Sequence, residues 1–245
     1  MSRHSHKDFP YWLVLVVLIG LYLAYRVASD DLYSQVFARV QAGIWMTIEV
    51  ALIAFSLAAV LGLGFAMASL SRFIIARQLA RFYIEVVRGV PILVLLFYIA
   101  FVGAPALVIA INFVAEPLGF EPMLTRDLSL KWRAIIALMI GYSAFLAEVF
   151  RAGIQSVDVG QIEAAEALGL NPWQRFRLVV FPQAIRTILP PLGNDFVAMV
   201  KDSSLVSVLG VADITQLGKT YAAGSFNYFE AYNICLLYTS PSPRD

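Results

Sequence analysis

Two groups of polar residues interrupt long apolar stretches of this chain: Glu85, Arg88 and Pro91, and then Asn194, Asp195, Lys201 and Asp202. A third interruption runs from Gln155 to Pro182 and carries Glu163. Ionisable groups in apolar surroundings either pair with one another or line a wet path for a polar solute. Bond-making chemistry is poorly provided for. His4 and His6 both lie in a polar leader, where solvation suits them better than metal ligation, and Cys235 stands alone, which rules out an intrachain disulfide or a cysteine metal cluster. There is no Gly-x-x-x-x-Gly-Lys-Ser/Thr loop to cradle a nucleotide. A net charge of +1 leaves no electrostatic footprint for nucleic acid.

The elements that hold these residues are membrane helices. The chain is 60% hydrophobic and 14% charged, with mean hydropathy +0.76, outside the soluble range. Residues 11 to 28 read as a retained anchor helix with Tyr11, Trp12, Tyr22 and Tyr25 as interface residues, just long enough to span; a peripheral helix is the rival reading. Asp30 to Arg39 reads as a short outside link, followed by a long span over residues 42 to 70. Gly62, Gly64, Ala58, Ala59, Ala66 and Ala68 predict a face for close helix contact. Another apolar run follows Pro91, with an external loop over Asn112 to Ser129, an inward span over residues 132 to 150, and a fifth span beginning near Ala184.

Within the fifth span Pro190 and Pro191 predict a break or kink. Gly210 to Asn227 reads as a short helix and an outside turn, and Tyr228 begins a last apolar segment. Arg3, Lys7, Arg72, Arg77, Arg81, Arg88, Arg151, Arg175, Arg177 and Arg186 fall on one side of this arrangement. Arg26, Arg39, Arg126, Lys131 and Arg133 fall on the other, so the positive-inside rule puts the amino terminus and the Gln155–Pro182 loop in the cytoplasm.

That loop reads as two short helices with a sharp stop between them. Asp158 is an N-cap candidate with Gln161 placed for a capping box, Gly169 supplies a left-handed end, and Asn171-Pro172 restarts the helix. Glu163-Ala164-Ala165, Gly169, Val179 and Phe181-Pro182 are spaced as Glu-Ala-Ala, three residues, Gly, nine residues, apolar, one residue, apolar-Pro. This resembles the EAA signature of the integral membrane subunits of ABC importers, with Val179 and Phe181 in place of Ile and Leu. Arg88-Gly89-Val90-Pro91, the approach through Tyr142, Glu148 and Arg151, and Lys201-Asp202-Ser203-Ser204-Leu205 resemble the polar amino-acid branch of that family.

The resemblance implies an all-α polytopic membrane protein, with one extra amino-terminal helix before a five-helix permease core. It implies a leader and anchor over 1–30, a transmembrane domain over 40–234, and a coupling loop over 155–182. The segment 235–245 departs from the family pattern and is expected to be a non-native or truncated tail, cut near Ile234. The implied function is that of a permease subunit of an ATP-driven importer for polar amino acids in a bacterial-type inner membrane. Glu163, Ala164, Ala165, Gly169 and Pro182 would couple to the ATPase. ATP and Mg would be bound by the partner ATP-binding cassette subunit and no cofactor by this chain. A second permease copy or paralogue and an extracytoplasmic solute-binding protein complete the implied partners, within a lipid bilayer.

The residues leave some roles open. Glu85 and Arg88, three apart, suit an ion pair on one helical face or a gate. Asn194, Asp195, Lys201 and Asp202 suit a path lining or salt bridges to a second subunit. Glu148 and Arg151 suit a brace above the coupling loop. An ion-coupled secondary carrier or channel, working without an ATPase, is the alternative function; it predicts an internal repeat, and none is evident. An intramembrane enzyme would need a catalytic constellation on the spans.

Overall fold

The structure, a computed structural model, describes residues 11–239. The leader with Arg3, His4, His6 and Lys7 and the tail beyond Thr239 lie outside the described residues. Among the described residues every regular element is helical. Among the described residues, three helical stretches are long and apolar enough to cross a bilayer: Asp31–Ser69, Ile92–Leu118 and Leu130–Gln155. The chain divides into two compact units, the first from residues up to Met46 and from Ala212 onward, the second from Thr47 to Val211.

The first unit holds α1 (Tyr11–Ser29), α2 (Asp31–Val40), the opening turn of α3 (Ala42–Ser69), α11 (Ile214–Ser225) and α12 (Tyr228–Thr239). The expected outside link is in fact helix α2. Asp30 caps it by accepting from the Leu32 N–H at 3.0 Å, and Tyr33, Val36 and Val40 recur at helical spacing and bury one face. That face joins Leu23 of α1, Ala222 of α11 and Ile234 of α12 in a shared core. Gly218 of α11 and Cys235 of α12 meet where a Cβ on Gly218 would strike the Cys235 sulfur. Cys235 donates its thiol hydrogen to the Ile214 carbonyl at 3.6 Å.

The second unit is organised around α7 (Leu130–Gln155), whose 26 residues reach about 39 Å, enough to cross a hydrocarbon core of about 30 Å. The rest of α3 lies along it. Ala54, Ala58, Gly62 and Ala66 repeat every fourth residue and are buried. A Cβ on Gly62 would stand 2.8 Å from the Ser143 carbonyl oxygen and 3.0 Å from the Leu146 Cβ, so its absence sets the α3–α7 distance. Gly64, on the far side, faces open space. The expected small-residue face therefore splits, because residues two apart on a helix point in nearly opposite directions.

α4 (Ile74–Gly89) packs on α7, and its Tyr83 hydroxyl lies 2.7 Å from Ser143 Oγ while its ring stacks on Phe65 of α3. The helix ends at Gly89, Val90 is extended, and Pro91 starts α5 (Ile92–Tyr98). A five-residue π-turn, Ile99–Gly103, joins α5 to α6 (Ala104–Ala115). Beyond α6 the expected external loop contains two short 3-10 turns, and Asn112 pins it by exchanging two hydrogen bonds of 2.8 Å with the Met123 backbone. Arg133 of α7 gathers three carbonyls, donating to Leu128 at 2.9 Å, Thr125 at 2.5 Å and Ala100 of the π-turn at 3.3 Å.

After α7 come α8 (Val159–Ala167), α9 (Pro172–Arg175), a second π-turn over Phe176–Val180, and α10 (Phe181–Asp202). Of the expected break or kink, the break is not present: Pro190 and Pro191 lie inside the single helix α10. The missing N–H groups cost hydrogen bonds to the Arg186 and Thr187 carbonyls, and α10 packs along α7. Gly153 of α7 allows this contact, because a Cβ there would strike Ile188.

Candidate functional site: a coupling surface and a charged cavity

At one end of α7 the chain builds the pair of short helices read from the sequence. Asp158 caps α8 through the Gly160 N–H at 2.6 Å, while its own carbonyl accepts from the Gln161 N–H. Because the carboxylate takes the second amide rather than the third, the expected reciprocal bond from Gln161 gives way to a simple cap. α8 ends in a Schellman turn: Gly169 adopts φ +76, its N–H reaches the Glu166 carbonyl, and the Leu170 N–H reaches that of Ala165. The full capping box lies at α9, where Asn171 and Gln174 exchange bonds of 2.9 and 3.0 Å. An ion pair between Glu166 and Arg175 ties the two helices together.

This pair rests on an apolar base of Val157, Val180, Ala184 and Ile188, to which Ile162 of α8 contributes. The expected coupling residues consequently divide. Glu163, Ala164 and Gly169 face outward, as does Pro182 in the first turn of α10, whereas Ala165 turns into the base and is 3% exposed. Ala165 is thus buried and offers no outward surface, unlike its neighbours. Val159, Leu168 and Trp173 add exposed apolar area that the spacing of the motif does not mark. Their signal is large apolar side chains on helices too short to span. The Glu148–Arg151 brace is formed: the guanidinium bonds Glu148 twice and donates to Gln155 at 2.8 Å.

A cavity of about 530 Å³ lies between the α4–α5 break, α7 and α10. Arg88, Pro91, Asp195 and Asp202 line it, together with Tyr142 and Phe145. Tyr142 donates to Asp202 at 2.8 Å, and the Arg88 guanidinium lies 5.6 Å from the Phe145 ring centre. The expected Glu85–Arg88 pair is not formed among the described residues; Glu85 is exposed outside the cavity and Arg88 turns to Phe145. Asn194 and Lys201 are absent from the lining as well. Helical phase explains this division. Asp195 and Asp202 are seven residues apart and share a face, while Asn194 and Lys201 share another about 100° away. Nothing in the local sequence marks Phe145, because its partner lies 57 residues earlier in a different helix.

A bundle of apolar helices that lines an open, charged cavity and presents a capped helix pair at one end defines an integral membrane transport component. The model of the family described as binding-protein-dependent transport system inner membrane component matches residues 58–240, and the chain belongs to that family. It is 37% identical over 187 residues to the probable amino-acid permease protein YxeN of Bacillus subtilis (strain 168), covering 76% of this chain and 77% of that protein. The glutamine transport system permease protein GlnP of Escherichia coli (strain K12) is 35% identical over 164 residues, 67% of this chain and 68% of that one. A solved structure described as an amino acid ABC transporter with histidines superposes with TM-score 0.68 at 35% identity, covering 86% and 89% of the two chains. The MetNI methionine ABC transporter, at 19% identity and TM-score 0.64 over 86% and 90%, shares the fold.

Proposed function

We propose that this chain is the permease subunit of an ATP-driven importer for polar amino acids, with its amino terminus and the α8–α9 pair in the cytoplasm. The observation that carries the coupling half is the outward face of α8 and α9. Glu163, Ala164, Gly169 and Pro182 stand beside exposed Leu168 and Trp173 on a seat built from α7 and α10. A helix pair held by a cap, a Schellman turn, a capping box and an ion pair transmits force as one body, and its seat passes that motion to the helices lining the cavity. ATP and Mg belong on the partner ATP-binding cassette subunit in this reading. A second permease copy completes the path, and an extracytoplasmic solute-binding protein delivers the solute. An amino-acid substrate is supported by what YxeN and GlnP are named for. A carrier working without an ATPase has no support among these relatives.

The test is reconstitution of the permease with its ATPase and solute-binding protein, comparing wild type with Glu163→Arg. Reversing an exposed charge on the docking face is expected to change the stability by no more than about 0.5 kcal/mol, as ordinary surface substitutions do, and to abolish solute-stimulated ATP hydrolysis and uptake. Uptake that persists without the ATPase, or that is indifferent to Glu163→Arg, sinks this reading.

A further inference from the structure

Helix α4 divides its surface into three rows. Ala80, Ile84 and Val87 are buried, and Val87 meets Ala144 of α7. Ile75, Leu79, Phe82 and Val86 recur at steps of four, three and four, so they share a second face, and all of them are exposed. Phe73 and Ile74 add exposed apolar area at the start of the helix. Arg77, Arg81 and Arg88 recur at steps of four and seven and make the third row, about 70° round the helix from the buried one and about 150° from the apolar one. The Tyr83 hydroxyl fixes the helix to α7 through Ser143 Oγ at 2.7 Å and the Ile140 carbonyl at 3.1 Å, so these rows are held in place.

Arg88 turns into the cavity already described. The other cations are Arg77, Arg81 and, in the link from α3, Arg72; none of their side chains has a hydrogen bond or ion pair among the described residues. No carboxylate lies between residues 70 and 84, and Glu85, one turn past Arg81, pairs with none of them. The start of α4 is therefore cationic without compensation and apolar on its free face. An exposed row of Ile, Leu, Phe and Val belongs against acyl chains, and arginines on the same helix reach from that depth to the headgroups. A zwitterionic headgroup leaves this positive charge unbalanced. An acidic one balances it.

We infer that the chain from Arg72 to Val86 is a binding surface for an acidic phospholipid. Its phosphate faces Arg77 and Arg81, one turn and about 6 Å of rise apart, Arg72 adds to the positive field, and the acyl chains lie along Leu79, Phe82 and Val86. In the orientation proposed above the lipid belongs to the cytoplasmic leaflet, and that placement is all the inference takes from the importer reading. The lipid is held on the helix whose far end carries Arg88 into the cavity.

The test counts the lipid itself. The permease–ATPase complex is equilibrated in mixed micelles of equimolar phosphatidylglycerol and phosphatidylcholine, which differ in net headgroup charge, and native mass spectrometry reads the lipid it retains. Phosphatidylglycerol is expected to be enriched about tenfold or more, since each arginine beside an acidic surface supplies about a fivefold preference and salt screens part of it. Arg72→Gln/Arg77→Gln/Arg81→Gln is expected to bring the two lipids level. The same three positions changed to lysine are expected to keep the enrichment, because attraction to a charged surface needs the charge and not the guanidinium fork. Arg177→Gln/Arg186→Gln removes two exposed arginines near the α8–α9 pair and is expected to leave the enrichment within about twofold, since charges beyond a Debye length are screened. No enrichment in the wild type, an enrichment that survives the triple glutamine variant, or an equal loss in Arg177→Gln/Arg186→Gln overturns the inference. Displacement of the lipid by soluble glycerol phosphate also overturns it, by assigning a plain phosphate site, as does loss of a subunit on gel filtration in the triple glutamine variant, by assigning the face to a protein contact. The wild-type and Arg177→Gln/Arg186→Gln measurements do not depend on the triple variants folding. Uptake indifferent to Glu163→Arg sinks the importer reading and leaves the lipid enrichment where it stands.

Discussion

The Tyr142 hydroxyl donates to the Asp202 carboxylate at 2.8 Å, joining the middle of α7 to the last turn of α10 across 60 residues of sequence. The bond orients one wall of the cavity and ties together the two helices that form the apolar seat of the α8–α9 pair. Tyr142→Phe keeps the ring and removes the donor. The expected loss is about 1.5 kcal/mol, the lower end for a bond to a charged group, because the open cavity lets water replace the hydroxyl. Thermal melting of the purified permease checks the stability.

The α3–α7 contact is tuned by a missing methyl group. Gly62→Val places side-chain atoms against the Ser143 carbonyl and the Leu146 Cβ, both of which belong to the interior of α7. Forcing the helices apart is expected to cost about 1–3 kcal/mol, the range for overpacking. Gly64→Val, on the open face of the same helix, is expected to be close to neutral. Melting curves of the two variants in the same detergent separate packing from helix propensity.

Gly169 carries φ +76 at the end of α8. Gly169→Ala is expected to cost about 1 kcal/mol by placing a Cβ in the left-handed region, and Gly169→Asn less, since asparagine tolerates that region. The measurable consequence is on coupling. Loosening the Schellman turn lets α8 and α9 move separately, so solute-stimulated ATP hydrolysis in the reconstituted importer is expected to fall further in Gly169→Ala than in Gly169→Asn.

Arg133 holds the loop after α6 by bonding to Leu128, Thr125 and Ala100 at once. Arg133→Leu fills the same space and leaves three carbonyls without this donor. A stability loss of about 1–3 kcal/mol is expected for the polar groups that remain buried, with water relieving those at the loop. Hydrogen exchange is expected to quicken between residues 119 and 129, and limited proteolysis in that loop reads the same change.

The sequence by itself determined the class of the protein, and the physical reason is locality. Apolar runs long enough to span, the positions of Pro91 and Gly169, the Asn171-Pro172 start and the brace from Glu148 to Arg151 all depend on neighbours within about one or two helical turns. The EAA spacing is local in the same sense, and the family match bears out what it implied about fold and membership. Even here local reading overreached where two local answers compete. Asp30 to Arg39 is polar enough for a link, yet Tyr33, Val36 and Val40 bury a helical face once other helices supply a surface. Glu85 and Arg88 are spaced to pair, yet Arg88 takes the Phe145 ring.

Only the tertiary structure decided which of seven polar candidates share a cavity. Arg88, Pro91, Asp195 and Asp202 meet there because α4, α5, α7 and α10 cross, while Asn194 and Lys201 are turned away by helical phase and Glu85 lies exposed outside the lining. Phase relative to a partner helix is fixed by how side chains interdigitate, and Gly62, Gly141 and Gly153 on the packed faces of α3 and α7 make those close crossings possible. A one-dimensional pattern records that a glycine or a carboxylate is present. Its partner is settled by packing between residues far apart in the chain.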